Sequence, residues 1–416
     1  MTTFQSRNSD EPLLEVEEAQ ARVLAEVCVL ETEGVRFDDA VGRVLREDVL
    51  APDDAPFADN SAMDGYAVRA EDVAQVPAQL RVIGDVPAGR VALDRVEAGT
   101  AMRIMTGANV PEGADAVVQV EWTDAGSEVV EVHRSVTRGA NIRKRGEDVR
   151  AGALLMPSGT LLGAAEIALL AGIRKTSVDV ARRPTVAILS TGDELVEVGE
   201  ARRPGTIVNS NGYALAALVR AAGAVPVPLG IVKDDRQATI DAFDRATACD
   251  FILSSGGVSV GAFDFVKDAL DALGAETKFW RVAMKPGKPV VLSRLRERLV
   301  FGLPGNPVSC MVSFHLFVLP ALRKAAGEAD GLLPPQVTVR VASPLRSAGD
   351  RRVYVRARVA AVEGELVAHP MTAQSSGALT SMVGANGLVI VERGVTAIDA
   401  GANAAALLIG PVASTR

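Results

Sequence analysis

The sequence predicts a multidomain α/β chain, with a doubly wound α/β domain, a β-rich inserted domain, a small helical/linker domain and a C-terminal β-barrel or sandwich. Three observations carry this. Between about 180 and 327, short apolar runs alternate with helical stretches ("VAILS", "YALAALVRAAGA", "FILSS", "FVKDALDAL"), the pattern of parallel strands joined by crossover helices. Between 51 and 150, alternating runs such as "AMRIM" and "DAVVQVE" are broken by turn signals roughly every ten residues. From 334 onward "QVTVRVA", "RRVYVRARVA", "GLVIVERG" and "AALLIG" read as strands, with "VYVRARV" alternating as a half-buried strand does.

Taken in order, residues 1–10 read as a frayed tail, and 13–30 as an amphipathic helix with Leu14, Ala21, Leu24 and Val27 near helical spacing. Residues 151–175 return to a helical pattern. This places 11–50 and 151–180 together as a discontinuous helical/linker domain, with 51–150 inserted between them. "GIRKTSVDVARRPT" (172–185) is polar and basic and marks a boundary before the α/β domain at 181–328. There "VAILS" is a buried-type strand. A helix begins at Asn209 or Ser210 and stops at Gly223. The two prolines of "VPVPLGIV" favour an edge strand. "PVVLS" and "RLVFGL" are further strands, and "VSCMVSFHLFVLPALRKA" is a long helix. Residues 332–416 hold the last β domain.

A formal net charge of -8 over 416 residues argues against broad nucleic-acid binding. The three cysteines and three histidines are scattered, so neither a zinc site nor a disulfide framework is read, and His315 reads as a packed residue. The N-terminus has no apolar segment of the signal-peptide kind. "LLGAAEIALLAGI" (161–173), read as the longest apolar stretch, carries Glu166 and is too short for a membrane span. The expectation is a cytoplasmic protein with no nucleic-acid or membrane partner.

Ligands of open α/β sheets bind beyond the carboxyl ends of the strands. Those ends carry Thr191-Gly192-Asp193-Glu194, Lys233-Asp234-Asp235, Gly256-Gly257-Val258-Ser259 and Pro304-Gly305-Asn306-Pro307. Glycine lets backbone N–H groups approach a ligand, and those groups attract anions. Carboxylates beside an anion call for a hard divalent cation such as magnesium. "RVAMKPGKPVV" adds Arg281, Lys285 and Lys288, cations suited to an oxyanion. No GxxxxGK[ST], GxGxxG or GxSxG motif is present, which argues against P-loop, dinucleotide and triad enzymes. In the β-rich segment Asp64, Thr106, Arg143 and Asp148 each read, taken singly, as turn chemistry or a solvated charge run.

The stretches "NSAMDGYAV", "RIMTGANVPEGADAVV", "NIRKRGEDV", "STGDEL", "SSGGVSVGAFDF", "KPGKPV" and "GLPGNPVS" resemble, in order and over nearly the whole chain, the molybdopterin molybdenumtransferase family, MoeA, related to the C-terminal part of gephyrin. The resemblance implies four domains: a doubly wound α/β molybdopterin-binding domain plus a β-rich inserted domain, a helical/linker domain and a C-terminal β-barrel. It implies insertion of molybdenum, taken from the substrate molybdate, into adenylylated molybdopterin with magnesium-dependent release of AMP. An elongated homodimer is also implied, its active cleft lying between the α/β domain of one chain and the β-rich domain of the other. The adenylyltransferase that makes the substrate is an implied partner.

Residue by residue, the resemblance implies Glu194, Asp234 and Asp264 as metal ligands. It implies Thr191, Gly192, Ser255, Gly256, Gly257, Ser259, Arg281, Lys288, Pro304, Pro307 and Ser376 as substrate-binding. Asp64, Thr106, Arg143, Asp148 and Lys285 are implied as catalytic. Some members carry lysine where Arg281 stands; arginine keeps the charge but presents a planar fork. The adenylyltransferase itself shares the α/β domain and its "SSGGVSVG" loop, yet it is one small domain without the β-rich segments matched here. A pure scaffold, the other reading, has no need of these acids.

Overall fold

A computed structural model describes residues 13–201, 203–257 and 265–414. Its chain contacts gather into two compact units: Met1–Arg46 with Gly159–Ile167 and Ser177–Arg416, and Glu47–Ser158 with Ala168–Thr176.

The first unit is organised by a six-stranded sheet in the order Val225–Val232, Thr185–Thr191, Phe251–Ser255, Arg298–Leu303, Pro289–Leu295, Glu276–Arg281. The strand with two prolines is at the edge, where a missing N–H costs no ladder bond. The first four strands run parallel, but Pro289–Leu295 pairs antiparallel with both neighbours. The alternation had pointed to parallel pairing throughout. "PVVLS" and "RLVFGL" are instead joined by a tight turn at Arg296, whose φ is 54°, so they form a hairpin.

The core of this sheet continues without a break into the last β domain: Val186, Phe301, Phe314 and Phe317 share one buried cluster with Tyr354, Leu388 and Leu407. Helix Val16–Glu26 packs there too, but through Val16, Ala19 and Val23. Ala21, expected on the buried face, is exposed. Helix Pro307–Ala325 is the one described helix long and apolar enough for a membrane, longer than 161–173, and it is mostly buried, as a core helix is. It holds a π-helical segment, Phe314–Val318, with His315 buried within it.

The C-terminal strands close into a barrel. Arg352–Val362 pairs with Glu365–Pro370, then Gln336–Val341, Asn403–Leu408 and Gly387–Val391 follow, and the last returns to Arg352–Val362. Closure removes the exposed edges that a sandwich would leave. "VYVRARV" does not alternate: Tyr354, Val355, Arg356 and Ala357 are all buried, Arg356 at 2% exposure. Its guanidinium reaches the carbonyls of Ala373 and Ser375 and the hydroxyl of Ser381, so an arginine occupies an interior position. Strand Ser177–Ala181, inside the stretch read as a boundary, pairs antiparallel with Thr32–Arg36.

The second unit is built on a five-stranded sheet in the order Ala116–Gln119, Gly65–Val68, Thr100–Ile104, Ala78–Val86, Val129–Val132. Both faces are covered: Tyr66, Val68, Ala101 and Val118 pack on one side, and Ala67, Met102, Ile104 and Val117 on the other. Gly65 is required here, because a Cβ at that position would drive into the carbonyl oxygen of Val118.

Candidate active site

A cleft of about 690 Å³ opens beyond the carboxyl ends of the parallel strands. Strand Thr185–Thr191 delivers Thr191, Gly192 and Glu194 to it, and Asp234 follows the edge strand. The two acidic loops are joined: the Asp193 N–H donates to Asp234 at 3.3 Å, and the Asp234 N–H donates to Asp193 at 3.2 Å. Glu194 folds back over Gly192, where an added Cβ would lie 2.5 Å from its carboxylate.

Strand Phe251–Ser255 delivers Ser255, Gly256 and Gly257. Gly256 has φ 94°, and a Cβ there would lie 2.7 Å from the backbone oxygen of Thr191. The turn therefore needs glycine for its backbone conformation and for its close approach to the neighbouring strand. The fourth wall is Pro304-Gly305-Asn306-Pro307, opening helix Pro307–Ala325. Its first turn is seated by Ser376, whose carbonyl accepts the Val308 N–H at 3.1 Å, and Gly377 lines the cleft beside it. Behind Ser255 lies Cys310, a buried thiol pushed up to about 12 by burial, so it is no thiolate nucleophile.

Three of the expected cations stand apart. Arg281, Lys285 and Lys288 do not line this cleft, although Pro289, next to Lys288, does. Lys285 and Lys288 are exposed. Met284 and Lys285 add to the barrel in parallel with Arg352 and Val353, so the KPGK loop is anchored to the last β domain. Ser259 and Asp264 lie outside the described residues.

The remaining candidates form a group on the second unit. Asp64 accepts from the Thr106 N–H at 2.7 Å and from its hydroxyl at 2.8 Å. These bonds, the backbone one foremost, hold the Asp64 carboxyl below the usual carboxylate range. Arg143 is paired in register with Asn60 and is exposed, as is Asp148, whose N–H is held by Ala55. Their neighbours Lys144 and Arg145 are tied to Asp59 and Asp54 instead. The loops carrying Asp64, Thr106 and Arg143 are stitched by backbone bonds from Gly107 to Ser61 and from Ala62 to Asn141.

Sequence reading missed Asn209 and Asn211, both of which line the cleft. "NSNG" was read only as a helix start. Asn209 does cap that helix, accepting from the Gly212 N–H at 3.1 Å. It also accepts from the Ser190 hydroxyl at 2.8 Å.

Glu194 and Asp234 supply only hard carboxylate oxygen, the ligand type magnesium takes. Among the described residues no three His, Cys, Asp or Glu side chains make a ready metal cluster; the third expected acid is Asp264.

Three family models match the chain: the MoeA N-terminal region (domain I and II) over 14–173, a probable molybdopterin binding domain over 187–324, and the MoeA C-terminal region (domain IV) over 338–409. A molybdopterin molybdenumtransferase of Nostoc sp. is 42% identical over 380 residues, 89% of this chain and 87% of the relative. That of Bacillus subtilis is 38% identical over 404 residues, 95% and 94%. The solved structure of the molybdopterin biosynthesis MoeA protein of Pyrococcus horikoshii superposes with a TM-score of 0.82 at 32% identity, covering 96% of this chain and 100% of that one. With its α/β cleft, its closed barrel and these relatives along nearly its whole length, the chain belongs to the molybdopterin molybdenumtransferase family, the transferases of molybdenum cofactor biosynthesis.

Proposed function

We propose that this transferase takes adenylylated molybdopterin and molybdate, places molybdenum on the pterin dithiolene and releases AMP, with magnesium required. The observation that carries this reading is the cleft itself: a glycine turn, a helix start and two carboxylates brought to neighbouring strand ends. Breaking a phosphoanhydride builds negative charge on phosphate oxygens, and a site that lowers the barrier must neutralise it. The backbone N–H of Gly257, with the hydroxyls of Thr191, Ser255 and Ser259, holds the phosphate side of the substrate, while Gly256, whose N–H is given to the Leu303 carbonyl, lets the turn come close to it. Pro304 and Pro307 shape the opposite wall, and Ser376 seats it. Glu194 and Asp234, with Asp264, would hold magnesium, which when bound draws charge from phosphate oxygens. Arg281, Lys285 and Lys288 attract molybdate.

In this reading the enzyme works in the cytoplasm as a homodimer and receives its substrate from the adenylyltransferase. Asp64, Thr106, Arg143 and Asp148 act at the cleft of the partner chain. Mass spectrometry of the pterin after incubation with adenylylated molybdopterin, magnesium and molybdate tests the chemistry. Metal-bearing pterin and AMP in equal amounts are expected; unchanged substrate contradicts it. Mixing the inactive variants Asp64→Ala and Glu194→Gln tests the shared site. Recovered turnover in verified heterodimers is expected, and none would count against sharing.

A further inference from the structure

Asn211 sits in the first turn of helix Ser210–Ala221 and lines the cleft, and none of the roles above uses it. Its amide nitrogen donates twice, to the Ser255 hydroxyl at 2.8 Å and to the Gly305 carbonyl at 2.7 Å. Gly305 O accepts only, so the orientation of the amide is fixed by chemistry. The other end, Oδ1, is buried with no hydrogen-bond partner, and so is the Thr191 hydroxyl oxygen on the adjacent strand end. A buried acceptor left without a donor is costly. An asparagine kept only to fill space would satisfy both of its ends. Here one end is left unsatisfied while the other ties two loops together.

Those two loops are the ones the proposed chemistry depends on. One continues into Gly256-Gly257, the other opens the helix at Pro307. Strand pairing carries them side by side as far as Ser255 and Leu303, with one more bond from the Gly256 N–H to Leu303. Beyond that point Asn211 is the bridge between Ser255 and Gly305.

We infer that Asn211 is a positioning residue of the cleft: it fixes the spacing between the glycine turn and the helix start, so that both meet one phosphate group at the same time. The inference rests on the proposed function for the identity of the ligand, but not for the clamp. The side chain acts through the two loops, so its removal weakens binding of the phosphate-bearing substrate more than it slows the bound complex.

The test pairs a kinetic with a structural readout. Asn211→Ala and the near-isosteric Asn211→Asp, which has no N–H donor, are compared with wild type and Ser255→Ala. Two things are measured: steady-state AMP release from adenylylated molybdopterin, and backbone hydrogen exchange in substrate-free protein. Both Asn211 variants are expected to raise KM about tenfold, the scale of two lost hydrogen bonds of modest net strength, with kcat reduced by less. Exchange should quicken at 255–257 and 305–308 while the sheet interior stays protected. The double variant Asn211→Ala with Ser255→Ala should cost less than the sum of the two. Wild-type exchange at both loops with an unchanged KM overturns the inference, as does a uniform loss of protection through the sheet. Faster exchange confined to the loops, in a protein whose wild type releases no AMP, supports the clamp and sinks the functional reading instead.

Discussion

The cleft of the α/β domain and the Asp64 group of the inserted domain are built in opposite ways. The cleft is made of backbone: Gly256 at φ 94° lies hard against Thr191, and the helix start is seated by a carbonyl of the barrel domain. The Asp64 group is made of exposed side chains on short loops, with one carboxylate oriented by a single threonine. The first is fixed by shape, so an extra methyl group damages it. The second is fixed by charge and a pair of hydrogen bonds, so it can be emptied without disturbing the sheet beneath.

Single substitutions in the two regions should separate loss of turnover from loss of stability. Asp64→Ala should reduce AMP release at least about a hundredfold, the scale of a lost acid–base or charge contact. The melting temperature should hardly move, as for an exposed site; near-normal turnover would take Asp64 out of the site. Gly256→Ala should lower both quantities together. Strain at positive φ is on the order of 1–3 kcal/mol, and the added Cβ meets backbone that cannot turn aside. Rate and melting temperature measured on one preparation check this, and an undisturbed protein would mean the turn is not needed.

Thr106→Ala should be milder, within about tenfold, because the backbone N–H to Asp64 survives the change. It has a diagnostic in pH. Asp64 is held below the usual range by the Thr106 N–H and then its hydroxyl, so it stays ionised until pH falls through that depressed value. Removing the hydroxyl raises the value, and the acid limb of the pH–rate profile should move to higher pH; a fixed limb would mean the hydroxyl does not tune Asp64.

The smallest effect on turnover belongs to a carboxylate at the end of the six-stranded sheet opposite the cleft, just before strand Phe251–Ser255. Asp250 is 7% exposed and takes Arg182 in two bonds of 2.8 Å. Desolvation pushes its pKa up, but Arg182 and the Thr185 N–H and hydroxyl outweigh it and hold the group at about 2, below the usual carboxylate range. A depressed carboxylate stabilises the fold above its unfolded pKa and loses that contribution as pH falls toward the folded value. About 2 kcal/mol should therefore disappear between pH 4 and 2. Asp250→Ala should cost about 2 kcal/mol through the lost Arg182 and Thr185 bonds, since Arg182 keeps Glu31 as a partner, while turnover per folded molecule stays unchanged. Denaturant titration beside an AMP assay reads both.

The loops of the cleft were legible because glycine, hydroxyl and acid at strand ends have few structural reasons to occur together. "SSGG" and "LPGNP" announced their place. Asn211 was not legible: "NSNG" is a complete helix-start signature, and local chemistry explained it without reference to a partner 94 residues away at Gly305. Arg356 was hidden by the same limit. Alternation in "VYVRARV" assumes a solvated face, whereas closure of the barrel and three acceptors from 373–381 let an arginine lie inside. The hairpin after "PVVLS" was missed because the strand pattern reports burial rather than direction. "SVDVA" was passed over because its pairing partner, Thr32–Arg36, lies beyond the whole inserted domain.

The proposed chemistry couples breaking of a phosphoanhydride in this cleft to molybdate. The most direct measurement is a time course of free AMP from purified protein, adenylylated molybdopterin and magnesium, with and without molybdate. The account predicts AMP release that depends on molybdate. Tight binding of the adenylylated pterin with no release in either condition would contradict it and leave a binding scaffold in its place.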